Sequence, residues 1–148
     1  MNGNDNERQG TANSEQQMAD GGKADGKYDL EQRLLDLACA VIDIVDSLSP
    51  SRAGNHVAGQ LVRCGTSPAA NYAEAQSAES RKDFIHKLKI ILKELRESRM
   101  WLLLIQRREL CSRSELMEKA LAESNELIAI FRTSAATAQR NSSAASKD

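Results

Sequence analysis

Ser80-Arg81-Lys82-Asp83-Phe84-Ile85-His86-Lys87-Leu88-Lys89-Ile90-Ile91-Leu92-Lys93-Glu94-Leu95-Arg96-Glu97-Ser98-Arg99-Met100-Trp101-Leu102-Leu103-Leu104-Ile105 is the longest periodic segment of the chain, and its reading decides the fold. Ser80 and Asp83 have the spacing of a capping box, in which a hydroxyl and a carboxylate satisfy the first free backbone donors of a helix. Neither Gly nor Pro interrupts the run before Glu109, so one long helix is expected. At about 100° per residue, Phe84, Leu88, Ile91, Leu92, Leu95 and Leu102 share one face, the expected core stripe. From Met100 to Ile105 the helix is apolar all round, which demands cover from its own chain or from another subunit.

The charges on this helix are sorted. Lys82, Lys89, Lys93 and Arg96 fall on one line away from the apolar stripe, and Asp83, Glu94 and Glu97 on a different flank. The basic line spans about 21 Å at the helical rise. Residues 81–108 carry nine Lys/Arg against three Asp/Glu, whereas residues 28–49 carry five acids against Arg33 alone. With a formal net charge of −1, the whole molecule exerts no bulk attraction on nucleic acid or membrane, so any such attraction must be local.

The 148 residues give room for one domain plus tails, and 3% aromatics with two Pro favour helices over strands. Three Cys (Cys39, Cys64, Cys111) are odd in number and form no CxxC pair, so packing positions are expected rather than a disulfide framework or a zinc site. Residues 1–27 are polar, with no apolar run of signal-segment type, and are expected to be disordered. No run approaches the roughly 20 apolar residues of a membrane span, so a cytoplasmic setting is expected.

Outward from the central helix, Leu30, Leu34, Leu37, Ala38, Val41, Val45 and Leu48 mark a first helix starting near Tyr28 or Asp29, with Asp29 as its cap. Ser49-Pro50 is read as a cap and first helical position. A second helix follows through Val57, Leu61 and Val62, and Pro68 is expected to kink it or to start it afresh with Ser67 as cap. Ser112-Arg113-Ser114-Glu115 reads as a capping box opening a fourth helix with Leu116, Ala120, Leu121, Leu127, Ile128 and Phe131 inward. Residues 133–148 read as a frayed, disordered tail. The expectation is all-α: an up-down antiparallel four-helix bundle over residues 28–132.

Gly65-Thr66-Ser67-Pro68-Ala69-Ala70-Asn71-Tyr72-Ala73-Glu74-Ala75, followed by Ser80 to Leu88, resembles the four-helix-bundle family that includes proteins encoded in intervening sequences of bacterial 23S rRNA genes. The family's Arg, Ser, Asn-aromatic, Ala, Glu and small-residue places fall on Arg63, Ser67, Asn71, Tyr72, Ala73, Glu74 and Ala75. A Ser/basic cluster before Phe84-Ile85, then Leu88, Glu94-Leu95 and Trp101, continues the pattern, while Pro68-Ala69 departs from it. The resemblance implies a ring-shaped homopentamer of bundles around a central axis. It also implies kinship with retroelement accessory variability proteins, which bind nucleic acid and a reverse transcriptase.

Two uses compete for the basic line. Lys82, Lys89, Lys93 and Arg96 could contact RNA phosphates, gaining avidity if repeated around a ring. With so few aromatics for base stacking, backbone or shape recognition of a structured RNA is expected. Alternatively the basic and acidic flanks pair across subunit seams, making the chain a protein-interaction scaffold or reverse-transcriptase accessory without direct RNA contact. Asn71 and Glu74 sit among small residues, and Arg99 lies on the apolar side of its helix, so a Glu74–Arg99 pair is expected to fix the packing. Asp83 and His86 make half of a carboxylate–histidine metal unit with no second copy, and no nucleophile has a positioned base. No catalytic residue, metal, cofactor or small-molecule substrate is read, and the chain is expected to be non-enzymatic.

Overall fold

Four apolar series with alternating three- and four-residue spacing build the core. They are Leu34, Leu37, Val41 and Ile44; Val57, Leu61 and Cys64; Leu88, Ile91, Leu95, Leu102 and Ile105; and Leu127 with Phe131. That spacing keeps each seam facing its neighbours in a bundle of nearly aligned helices. The computed structural model describes residues 26–147; of the disorder expected for residues 1–27, positions 1–25 lie outside them, while Gly26 and Lys27 already belong to the first helix, which starts ahead of the expected Tyr28 or Asp29. The elements are α1 (Gly26–Asp46), α2 (Arg52–Ala75), α3 (Arg81–Arg107) and α4 (Ser114–Ala145), with no strand among the described residues. α1 packs on α2, α2 on α3, α3 on α4 and α4 on α1, so α1 and α3 stand at opposite corners, as do α2 and α4.

The stripe expected for α3 holds at Leu88, Ile91, Leu95 and Leu102, while Phe84 and Leu92 only flank the core and Ile85 is buried. Ser98 and Ser124 occupy core positions of α3 and α4. Each hydroxyl donates to the carbonyl four residues earlier (Glu94 and Ala120, both 2.8 Å), so a small polar residue is satisfied within its own helix. Cys64 is buried, and burial pushes its thiol pKa up, consistent with a packing role.

Several expected boundaries move. Ser80 caps α3 as expected, its Oγ accepting from Asp83 N at 3.1 Å. α2 is capped by Ser51 rather than Ser49, with Ser51 Oγ accepting from Gly54 N at 2.9 Å. A Cβ at Gly54 would lie 2.3 Å from the Ser49 carbonyl oxygen, so only Gly admits that turn. α4 starts where expected but without a side-chain cap. Asp29 lies in the first turn of α1 and does not precede it. Pro68 neither ends nor restarts α2 but sits buried inside it. Around the lost backbone donor, Thr66 Oγ1 donates to the Val62 carbonyl (2.6 Å) and Asn71 Nδ2 to the Ser67 carbonyl (3.0 Å), so side chains brace that turn.

The segment from residue 133, expected to be a tail, is helical to Ala145. Ala135 is buried and Ala138 packs on the core, continuing the spacing of Ser124, Leu127 and Phe131 with small side chains.

α3 ends in a left-handed residue that is not Gly. Glu109 has φ 52°, its N–H bonds to the Gln106 carbonyl (3.2 Å), and the Leu110 N–H to the Ile105 carbonyl (3.1 Å). These are the two bonds of a Schellman cap. An L side chain in that conformation costs roughly 1–2 kcal/mol, partly offset by the greater unfolded freedom of Gly. Glu109→Gly is therefore expected to stabilise the fold by about 0.5–1 kcal/mol in urea unfolding.

Candidate nucleic-acid interface

The Ser80 cap orients α3 so that Lys82, Lys89, Lys93 and Arg96 all stand exposed on its outward side. None of the four joins an ion pair among the described residues. Their charges are therefore open to a ligand of opposite sign. The helical end of α4 lies beside the start of α3, where Lys82, His86 and Lys89 face Gln139 and Ser142 across a shallow groove. From residue 127 to 147, α4 and its end carry Arg132, Arg140 and Lys147, all exposed, and no acid. This second basic contribution comes from the segment expected to be a tail. Its signal is the Ala135–Ala138 continuation of the inward spacing.

The acidic flank has a different fate. Glu94 and Glu97 both meet Arg63 of α2, with Nη1 3.5 Å from Glu94 Oε2 and Nη2 donating to Glu97 Oε1 at 2.6 Å. Trp101 Nε1 also donates to Glu97 (3.4 Å), and His56 of α2 stands edge-on to the indole at 6.0 Å. Glu94 Oε2 is buried and accepts no hydrogen bond, so the Arg63 charge 3.5 Å away is its compensation. These two carboxylates share the single Arg63 charge within their own chain.

The Glu74–Arg99 pair does not form. Antiparallel packing of α2 on α3 puts residue 74 beside residue 87 and residue 63 beside 94–97. Glu74 accordingly takes Lys87 Nζ at 2.6 Å, an ion pair that raises the Lys87 pKa through its hydrogen bond. Arg99 turns to α4 and donates to Asn125 Oδ1 at 2.6 Å. Asn71 bonds Ser67 within α2 (Oγ at 2.9 Å), so Ser67 and Asn71 brace the Pro68 turn.

A clamp not foreseen from sequence joins α1 to α4. Arg33 donates to both Glu123 oxygens (2.7 and 3.0 Å) and to Glu126 (2.6 Å). The Glu123 hydrogen bond leads in holding the guanidinium pKa above its ordinary value. The partners lie 90 and 93 residues apart, beyond the reach of any local motif.

The Arg63 arrangement predicts a measurable cost. Glu94 is 14% exposed but Arg63 is 54% exposed, so solvent screens part of the interaction. Arg63→Ala leaves the Glu94 carboxylate unpaired and is expected to cost about 1–2 kcal/mol in thermal unfolding. Adding Glu94→Gln is expected to recover most of that loss.

Among the described residues, no three potential metal ligands stand together, and no helix is long and apolar enough to cross a membrane. No curated protein matches the chain. A crystal structure of a protein with unknown function from the S23 ribosomal protein family of Bacteroides thetaiotaomicron is similar at 34% identity and TM-score 0.64. The likeness covers 70% of this chain and 95% of that one. The model of the 23S rRNA-intervening sequence protein family matches residues 27–133, which take in α1 to α3 and most of α4. The bundle, the Arg63-to-Ala75 segment and the helix bearing the basic line all fall inside that match, and the chain belongs to the 23S rRNA-intervening sequence protein family.

Proposed function

We propose that this protein is a non-enzymatic, cytoplasmic RNA-binding oligomer, a homopentamer, that holds structured RNA by its phosphates along the outward face of α3. One observation carries the reading. Four exposed cations share that face without ionic partners among the described residues, while Glu94 and Glu97 on the adjacent flank meet Arg63. Attraction between fixed cations and a polyanion is largely counterion release, so it needs no aromatic platform and falls steeply with salt. Repetition around a ring multiplies a weak site without new contacts. The family's association with 23S rRNA genes makes structured RNA the first ligand to try.

The test is a fluorescence-anisotropy titration of a structured RNA over a salt series. Log affinity is expected to fall linearly with log salt, and binding that is absent at low salt would refute the reading.

The second reading is a protein-interaction scaffold, including a reverse-transcriptase accessory. It is favoured by the exposed apolar turn at Met100 and Leu104. Assembly that survives neutralisation of the lysines while RNA binding is lost separates the two.

A further inference from the structure

The edge where α3 meets α4 carries two facing lines of polar and basic side chains. On α3, Lys82, Lys89 and Arg96 recur at a spacing close to two helical turns, so they share one line about 21 Å long. On α4, Asn125, Arg132 and Gln139 recur at the same spacing and form a line of the same length. All these side chains are exposed. Two contacts fix how the lines face each other. Lys82, His86 and Lys89 meet Gln139 and Ser142 across the groove at one end, and Arg99 Nε donates to Asn125 Oδ1 (2.6 Å) at the other. Arg132 lies between, about 10 Å from Asn125 and from Gln139 at the helical rise, which sets it level with Leu92 and Lys93. It joins no ion pair among the described residues. The cleft between the lines is free of acids. From Asn125 to Lys147 the sole acid is Glu126, which Arg33 holds on the α1 side. On α3, Glu94 and Glu97 meet Arg63 on the α2 side, and Asp83 shares their flank by helical phase.

We propose that this cleft seats one sugar–phosphate strand of an RNA, with the α3 line as its cationic bank and Arg132, Gln139 and Ser142 of α4 as the other. The inference rests on the RNA reading above and names the part of the RNA that is held, an unpaired stretch. Packed helices stand about 8–10 Å apart, which admits a single strand between them and excludes a duplex. A duplex also winds its phosphates away from a straight line, whereas an unpaired strand can follow one. A cleft about 21 Å long takes about six phosphates at the roughly 3.4 Å spacing of a stacked strand. Lys89, Lys93 and Arg132 give charge-assisted bonds to phosphate oxygens, and the Gln139 amide and Ser142 hydroxyl add neutral donors at the end of α4. Neither line carries an aromatic on which a base could stack, so the site selects a strand for being unpaired and not for its sequence. Gln139 and Ser142 lie past residue 133, where the family match ends, so this end of the cleft comes from the helical extension of α4.

The experiment is fluorescence anisotropy at about 50 mM salt with two probes, a labelled oligouridylate of about twelve nucleotides and an RNA duplex of the same length. The oligouridylate is expected to bind about tenfold more tightly. Arg132→Gln removes one phosphate contact, so it is expected to weaken oligouridylate binding about fivefold and to flatten the slope of log affinity against log salt by about 0.7. Gln139→Glu sets an acid beside Lys82 and is expected to weaken binding by a similar factor. Arg52→Gln makes the same charge change as Arg132→Gln at the start of α2, the other end of the bundle, and is expected to leave binding unchanged. Lysine acetylation read by mass spectrometry needs no variant. Oligouridylate is expected to shield Lys82, Lys89 and Lys93 and to leave Lys119, near the start of α4, as reactive as before. A duplex bound as tightly as the single strand, α4 variants that bind like wild type, or lysines left unshielded would each overturn the cleft. Structured RNA that still binds through the α3 lysines would then leave the RNA reading standing without it, whereas no binding of any RNA would overturn both.

Discussion

Replacing Lys82, Lys89, Lys93 and Arg96 together by Gln is expected to weaken structured-RNA binding on the order of a hundredfold at about 50 mM salt. The four side chains are exposed and outside every ion pair among the described residues, so a phosphate would meet them without displacing a protein partner. Each phosphate contact contributes about 0.7–0.9 to the slope of log affinity against log salt, so loss of four flattens the slope by about 3. Single Lys89→Gln or Lys93→Gln changes are expected to flatten it by about 1 each, equally for unrelated RNA sequences. Stability is expected to stay within about 0.5 kcal/mol of wild type, because none of the four contributes packing or a partnered charge. A quadruple variant with an unchanged slope would show that RNA, if bound, is held elsewhere.

The largest stability effect is expected at Phe131. It is 1% exposed on α4 and stands edge-on to Tyr72 of α2, ring centres 5.8 Å apart at 81°. α2 and α4 are opposite corners whose backbones do not approach each other, so this aromatic pair spans the middle of the core. Phe131→Ala removes the buried ring, leaves a cavity that Tyr72 covers on one side, and is expected to cost about 3–5 kcal/mol in urea unfolding. The lost edge-to-face contact accounts for about 0.5–1.5 kcal/mol of that. Phe131→Leu keeps most of the volume and is expected to cost under about 1.5 kcal/mol. A Phe131→Ala cost below about 1 kcal/mol would mean that the core collapses around the gap more freely than close packing allows.

Four helices were legible because each carries its inward residues at three- and four-residue spacing, a signal that survives the scarcity of aromatics. The Ser80 cap was legible for the same local reason. Of the two outcomes expected at Pro68, the fresh start does not occur, since the effect of Pro on a helix depends on what braces the turn, here Thr66 and Asn71. The last turns of α4 were invisible to a reading keyed on large apolar residues, since Ala135 and Ala138 bury little surface each. The basic line needed only helical spacing to be found. Arg63 as partner of Glu94 and Glu97 required the antiparallel register of α2 on α3, and Arg33 as partner of Glu123 and Glu126 required the closing of α1 onto α4. Both are properties of the assembled bundle rather than of any segment.

Charge-driven RNA uptake by an oligomer is tested most directly by light scattering of the purified protein, with and without a structured RNA, across a salt series. A particle several chains in mass is expected, gaining mass with RNA at low salt and shedding it as salt rises. A particle whose mass is the same with and without RNA at every salt would contradict it.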